Sequence, residues 1–438
     1  MLASKGLGGG GFLHALTEIF TTGLREEGMK DRSLHWAWVI LGVCFLDLFV
    51  NYAVRLGYGV VLPEMLRDLA LSRTAGGTIF NAYLFIYITL TPLAGFLTDR
   101  LGARPVITVC SAVLGVGVLL MGTARSAEGA AAAFAVAGLG ATGIWVPVLT
   151  VAQRWFAPSR RGLALGFLST GIGLGFAATG ILFPFIIEHE GWRFAWFVLG
   201  ATALALSILN GVFLRSTPES MGHAPWGCGD RSAGPGPECP AGLPSGGDIF
   251  RRGDFWWIGL SYFCVAFGLY GITTFMVDYA RHQIGMEMDR ASLLATIHGA
   301  GQVIGVLTIL PLSDRLGRKT VVLFSNFTIA AAIGGILLSS GSVPLVFFFV
   351  GLMAVFYGVT FPIYGACAGD YFSKHVIGTV IGAWTPFYGL GAIASHWLGG
   401  MLRDATGRYD EAFALNALMA FAAFLLFFAV GRPRPPGR

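Results

Sequence analysis

"GFLTDRLGARP" (Gly95–Pro105) and "LPLSDRLGRKT" (Leu310–Thr320) are two versions of one short polar phrase in an apolar chain. Both read D-R-L-G followed by basic residues, and Asp99 and Asp314 stand 215 positions apart. A spacing that large, with matching surroundings, implies that the chain repeats itself once. Gly102 and Gly317 would allow a tight turn between two helices. Each aspartate can accept hydrogen bonds from helix N-termini or pair with nearby arginines, and so latch one arrangement of the helices. Asp99, Arg100, Asp314 and Arg315 are therefore candidate latch residues, with Arg154 of the basic cluster Arg154, Arg160 and Arg161.

Around these phrases run apolar windows of about 20 residues, each long enough to cross a ~30 Å hydrocarbon core as a helix. Twelve are expected, at 36–62, 77–97, 105–123, 130–152, 162–186, 193–214, 254–277, 291–312, 319–339, 344–367, 376–401 and 412–430. Over the 438 residues, 55% are hydrophobic and 12% charged, about half the charged share of a soluble domain. The 63 glycines are scattered through the apolar runs, where small residues let membrane helices approach closely. A soluble fold is excluded. The formal charge of +5 forms no basic stripe, so nucleic acid is not an expected partner.

Twelve spans place both termini on one side. Of the 29 Lys and Arg, 20 fall on that side, 8 fall in the opposite loops, and Arg55 is left inside a span. The positive-inside rule then makes the termini cytoplasmic, in a multi-pass protein of a bacterial inner membrane. Residues 1–33 read as an N-terminal segment. Met29 is the expected initiator, or residues 1–28 are disordered; an amphipathic helix at Phe12–Leu24 is the alternative. Residues 34–215 form a first six-helix unit, 216–253 a flexible linker containing "GPGPECPAGLPSGG", 254–432 a second unit and 433–438 a tail. Cys44, Cys110, Cys264 and Cys367 read as small apolar filler, and Cys228 and Cys239 lack ligand spacing. No metal site, bound cofactor, nucleotide-binding loop or enzyme motif is indicated.

The duplicated G-x-L-x-D-R-x-G-x-[KR] loop, the six-plus-six arrangement and the central linker resemble the major facilitator superfamily, over about residues 34–432. That resemblance implies an all-α polytopic membrane protein with twelve transmembrane helices in two six-helix bundles. It further implies a central cavity and alternating access by rocking of the halves. Leu310 replaces Gly95 in the second copy, so a looser helix contact is expected there. "HWAWVIL", "RWFAPSRRGLALGFLSTGIGLG" (Arg154–Gly175), "GWRFAWFVLG" and "RDATGRYDEAFALNA" are similar to the bacterial monocarboxylate-transporter-like branch. Relatives with a substrate-binding arginine in helix 8 carry it where this chain has Val306.

Ionisable residues inside a span are functional candidates, since each costs at least about 2.5–3.5 kcal/mol at a helix centre. Asp47, Asn51 and Arg55 recur every four residues in helix 1, drifting about 40° per step, so they are expected to share a face on the cavity. Tyr58 continues the stripe. Cα–Cβ bonds tilt toward the helix N-terminus, so Arg55 would lean inward to bind substrate while Asp47, near the midplane, would carry the coupling proton. His298 and Gln302 form a second such pair in helix 8, with His298 a further proton-site candidate; His396 reads as interfacial. Asn81, Tyr52, Trp145, Tyr262, Tyr270, Tyr357, Tyr364, Trp384 and Tyr388 complete the candidate pocket, and Pro362 and Pro386 the candidate bends.

The expected activity is secondary transport of a small organic anion, a carboxylate, in symport with protons, by a monomer in the lipid bilayer. Export of neutral or amphipathic compounds is one alternative, and a non-transporting sensor with a transporter fold is another.

Overall fold

The computed structural model describes residues 35–157, 160–227, 247–339, 341–372 and 377–431, excepting the side chains at 247, 248, 314 and 377–379. The expectations for residues 1–28, Cys228, Cys239, the Asp314 side chain and the Pro/Gly-rich stretch 228–246 lie outside this set.

Among the described residues twelve long helices follow one another, the first six being α1 Trp36–Asp68, α2 Arg73–Leu101, α3 Ala103–Thr123, α4 Ala127–Trp155, α5 Arg161–Glu190 and α6 Trp192–Phe213. The second six are α7 Gly253–Tyr279, α8 Met288–Leu316, α9 Arg318–Leu338, α10 Val343–Tyr371, α11 Ile377–Thr406 and α12 Asp410–Ala429. All but α11 pass as spans by length and composition alone, and α11 has 30 residues. Among the described residues the β-structure is one isolated bridge, Phe156–Trp226.

Local chemistry sets the ends. The Ser72 and Ser126 side chains accept from Ala75 N and Gly129 N, both at 3.1 Å, capping α2 and α4. Gly102 and Gly317 adopt φ +86° and +85°, so the two repeated phrases turn on residues that tolerate a positive φ. Helices α10 and α11 run unbroken through Pro362 and Pro386. The interruption falls instead in α4, between Thr142 and Trp145.

Within the first six helices, α1 packs on α5 and α6, α2 on α4, and α3 on α4 and α6. In the second six, α7 packs on α11 and α12, α9 on α10 and α12, and α8 on α10. The three most extensive contacts between the halves are α5 with α8, α2 with α11, and α1 with α7. Exchanging the halves turns the first of these into the second and leaves the third unchanged, so an approximate two-fold passes between α1 and α7. Gly59 on α1 meets its repeat equivalent there: a Cβ on Gly59 would lie 2.9 Å from the Thr274 carbonyl oxygen. Large apolar side chains such as Phe185, Ile208, Phe348 and Phe428 stand exposed on the outside, as a bilayer-facing belt requires.

The linker is ordered at its start, against the expectation of flexibility throughout. A 3₁₀ turn, Pro218–Met221, leads to Trp226, whose ring packs edge-on against Trp38 and Phe156 at 5.1 and 5.6 Å. Trp226 N donates to Trp155 O and its carbonyl accepts from Ala157 N, both at 2.9 Å. These contacts of one half-buried indole pin the segment to the first half. Gly95, expected to mark a tight helix contact, has no neighbour within 4 Å of a Cβ position.

Close helix approach generates a stability prediction. A Cβ on Gly140 would run into backbone atoms of Leu114 and Cys110 on α3, whereas one on Gly166 would meet nothing within 4 Å. Gly140→Val should lower the thermal midpoint of the purified protein, by an overpacking cost of about 1–3 kcal/mol. Gly166→Ala should leave it unchanged or slightly raised. Equal effects in a melting assay would contradict this packing.

Candidate functional site

Arg55 lies at the middle of α1, on the side that meets α7. Its guanidinium donates to the Tyr270 hydroxyl at 2.5 Å, and these two residues are also 215 positions apart, so each is the other's repeat equivalent. Three tyrosine rings flank the charge: Tyr87 of α2 at 5.0 Å, Tyr270 at 5.5 Å and Tyr52 at 5.8 Å. Such faces attract a cation, but they do not neutralise it. The side chain is 6% exposed, its Nε has no hydrogen-bond partner, and no carboxylate among the described residues pairs with it. A buried guanidinium with a free donor and no counter-ion is a site ready for an anion.

Aromatic side chains extend from this charge across both halves. Tyr52 meets Trp145 edge-on at 6.2 Å, Trp145 meets Phe361 at 5.4 Å, and Phe361 meets Tyr388 at 6.3 Å. Tyr388 packs against Tyr262 at 4.6 Å and Tyr270 at 5.7 Å. His298 is buried against Phe176 and Tyr357 at 5.3 and 4.9 Å. Gln302 Nε2 donates to its Nδ1 at 3.0 Å, and Thr273 Oγ1 stands 3.2 Å from its Nε2. With Gln302 as donor, the ring proton is on Nε2 and points to Thr273, which passes its own proton to Leu269 O at 2.8 Å. Tyr357 lies 6.3 Å from Tyr270.

Asp47, Tyr58, Tyr364 and Trp384, all expected at the site, face neighbours within their own half. Asp47 faces α3 and α6, where its Oδ1 accepts from Asn210 Nδ2 at 2.8 Å and from Ser111 Oγ at 3.2 Å. A drift of about 40° every four residues accumulates over two steps, enough to give Asp47 and Arg55 different neighbours. Asn51, between them, is buried with its Oδ1 unpartnered. Tyr58 stacks on Phe80 and Phe134 inside the first half, at 5.1 Å from each, and donates to Gly76 O at 2.7 Å. The Tyr364 hydroxyl joins Ser261 and Asn326 inside the second half, at 2.7 and 2.9 Å. Trp384 donates to Phe255 O at 3.0 Å, fixing α11 to α7. His396, expected at the interface, is fully buried and bridges the halves, with Nδ1 2.8 Å from Asn81 Oδ1 and Nε2 2.8 Å from Thr274 Oγ1. Asn81 thus ties α2 to α11, and also donates to Ile393 O at 3.0 Å.

Tyr87 and Phe361 lie in this arrangement around Arg55 but not in the expected set. Tyr83 and Tyr87, four apart in "YLFIY", would have been the signal in α2. Phe361 carried none beyond the neighbouring proline.

Comparison with known proteins bears on this arrangement. The family model described as Major Facilitator Superfamily matches residues 44–288 and 258–438. The chain belongs to the Major Facilitator Superfamily. A probable sulfoacetate transporter, SauU, of Cupriavidus necator is 27% identical over 426 residues, covering 91% of this chain and 95% of that protein. Monocarboxylate transporter 4 of Rattus norvegicus is 24% identical over 431 residues, with 93% and 87% coverage. A bacterial homologue of the human lysosomal transporter Spinster, inward-facing and occupied, superimposes with a TM-score of 0.71 at 15% identity, over 91% of this chain and 97% of that one. These relatives are transporters, not enzymes, and the likeness to the monocarboxylate-transporter branch stands.

In this member of the superfamily the two ends differ. At the end bearing the α1–α2, α7–α8 and α11–α12 loops, ion pairs cross between the halves. Arg73 on α2 donates to Asp278 of α7 at 3.2 Å, and Arg281 donates to Glu64 of α1 at 3.0 Å. Asp404 of α11 accepts from Arg73 N, Thr74 N and Thr74 Oγ1 at 2.9, 2.8 and 2.5 Å, closing over the start of α2. Asp278, buried, also takes the Tyr409 hydroxyl at 2.5 Å and pairs with His282 at 2.9 Å. At the end bearing the termini, Asp99, Arg100 and Arg315 are exposed and Arg154 half-buried. Arg100 covers its own helix's Phe96 at 4.5 Å, and no described latch residue bonds across the halves. Among the described residues, then, the contacts that tie the halves lie at the end opposite the expected latch.

Closure at one end is testable with Ser292, buried near the start of α8 under the contact with Gly180 of α5. With the native cysteines replaced, Ser292→Cys should react slowly with a water-soluble thiol reagent. Adding Arg73→Ala should raise that rate several-fold, since Asp278 loses its partner from the other half. An unchanged rate would show that Arg73 does not hold this end closed.

Proposed function

We propose that this protein is a secondary transporter of a small organic anion, a carboxylate or a chemically similar group, with Arg55 as the anion ligand. The observation that carries the reading is the buried Arg55 guanidinium without a counter-ion, at the junction of both halves. The planar fork matches a carboxylate or sulfonate through two parallel hydrogen bonds. Relatives that transport sulfoacetate and monocarboxylates support the same class. Arg55 would then do from α1 what the α8 arginine does in relatives, since Val306 occupies that position.

Alternating access gives the two ends their meaning. With the Lys- and Arg-rich end in the cytoplasm, the arrangement described is closed outward, and the Arg73–Asp278, Arg281–Glu64 and Asp404 contacts are the outer gate. An anion on Arg55 would compete with Tyr270 for the guanidinium and so act directly on the α1–α7 contact, the pair lying on the two-fold. Proton symport remains part of the reading, by a changed route. Asp47 has no contact with Arg55, so its protonation would loosen α1 from Asn210 and Ser111 instead of releasing the arginine.

Two predictions follow from these roles. Arg55→Ala should lower carboxylate uptake into proteoliposomes by about 10–100-fold, the worth of a lost charged hydrogen bond. Arg55→Lys should recover only part of it, since an ammonium lacks the fork. Wild-type uptake by the alanine variant would remove Arg55 from the site. Under an imposed acid-outside gradient, Asp47→Asn should still bind and exchange the anion but fail to accumulate it. Accumulation equal to wild type would remove Asp47 from coupling.

A further inference from the structure

The contacts around Arg55 close into a ring. Tyr52, Trp145, Phe361, Tyr388 and Tyr270 each touch the next, at 6.2, 5.4, 6.3 and 5.7 Å between ring centroids. Arg55 completes the circuit, with its guanidinium 5.5 Å from the Tyr270 ring and 5.8 Å from the Tyr52 ring. Three members come from the first half and three from the second. Tyr52, Trp145, Phe361 and Tyr388 are only half-buried, although they lie between the halves and not on the lipid-facing belt. Each of the four therefore keeps part of its surface uncovered by protein.

Charge in this circuit is as restricted as shape. Arg55 is its one charged member, and Asp47 is turned toward α3 and α6. Glu64, the member of the closed end's ion pairs that lies on α1, stands nine residues beyond Arg55, about 13 Å away along the helix. A ligand with one anionic group would neutralise Arg55. A second anionic group would be buried without a cation, which is strongly unfavourable.

We infer that the preferred substrate is an aromatic monocarboxylate, its carboxylate on Arg55 and its ring against the faces of Trp145, Phe361 and Tyr388. This rests on the organic-anion reading above and narrows it. Aromatic rings pack on one another in offset or edge-on geometry with a gain beyond that of area alone, so the circuit would favour a flat, unsaturated body over a short aliphatic chain of the same charge. Tyr87, outside the circuit, lies with its ring 5.0 Å from the guanidinium, at the carboxylate end of such a ligand.

The test is a ligand panel on the wild-type protein, read as affinity from thermal stabilisation. Benzoate should bind about tenfold more tightly than acetate, a ratio matching one or two aromatic contacts. Terephthalate should bind more weakly than benzoate, and benzamide not at all. Phe361→Leu should weaken benzoate binding more than acetate binding, narrowing the ratio between the two. Acetate binding as tightly as benzoate, or terephthalate exceeding benzoate, would overturn the aromatic monoanion and leave the anion reading intact. Stabilisation by benzamide with none by any anion would overturn both.

Discussion

The hydrogen bond from Arg55 to Tyr270 joins the two halves of the molecule at their approximate two-fold, and the organisation of the site depends on it. It sets a permanent charge where a bilayer protein can least tolerate one, and it leaves that charge without a carboxylate. Tyrosine is a suitable partner for this purpose. Its hydroxyl accepts a hydrogen bond and its ring attracts the cation, yet neither forms an ion pair that a substrate would have to break. Because each residue is the other's repeat equivalent, the same position in the two halves became a charge in one and its acceptor in the other.

Around that contact the molecule separates two kinds of polar chemistry. Clusters inside each half hold helices together: Asp47 with Ser111 and Asn210 in the first, and Ser261 with Asn326 and Tyr364 in the second. Ser111 and Asn326 are repeat equivalents, so the two clusters occupy matching places on α3 and α9. Clusters between the halves differ in kind, since under the proposed alternating access those at the closed end would have to break. The Arg73–Asp278 and Arg281–Glu64 pairs and the His396 bridge to Asn81 belong to this second kind. The Asp278 carboxylate is fully buried, so parting from Arg73 would be costly without its other partners, the Tyr409 hydroxyl and His282.

The fold was legible in the sequence because it rests on features with a length and a period. Twelve apolar windows, the doubled D-R-L-G phrase and two glycines that need a positive φ all act locally. The site was legible only in part. Arg55, Tyr52, Trp145, Tyr270 and Tyr388 could be picked out as polar or aromatic residues in spans. Their distinction from Tyr58, Tyr364 and Trp384, which look the same in sequence, depends on which neighbour each helix face meets. Asp47 shows the difficulty: four-residue spacing implies a shared face only over a short stretch, since the helix turns by 3.6 residues. The closed end was not anticipated, because its ion pairs link residues hundreds of positions apart.

The most direct measurement is a structure of the wild-type protein with 4-iodobenzoate, locating the iodine by anomalous scattering. The account predicts one iodine site inside the aromatic circuit, near Trp145 and Phe361, with the carboxylate against the Arg55 guanidinium. An iodine site away from that circuit, or a carboxylate directed away from Arg55, would contradict it.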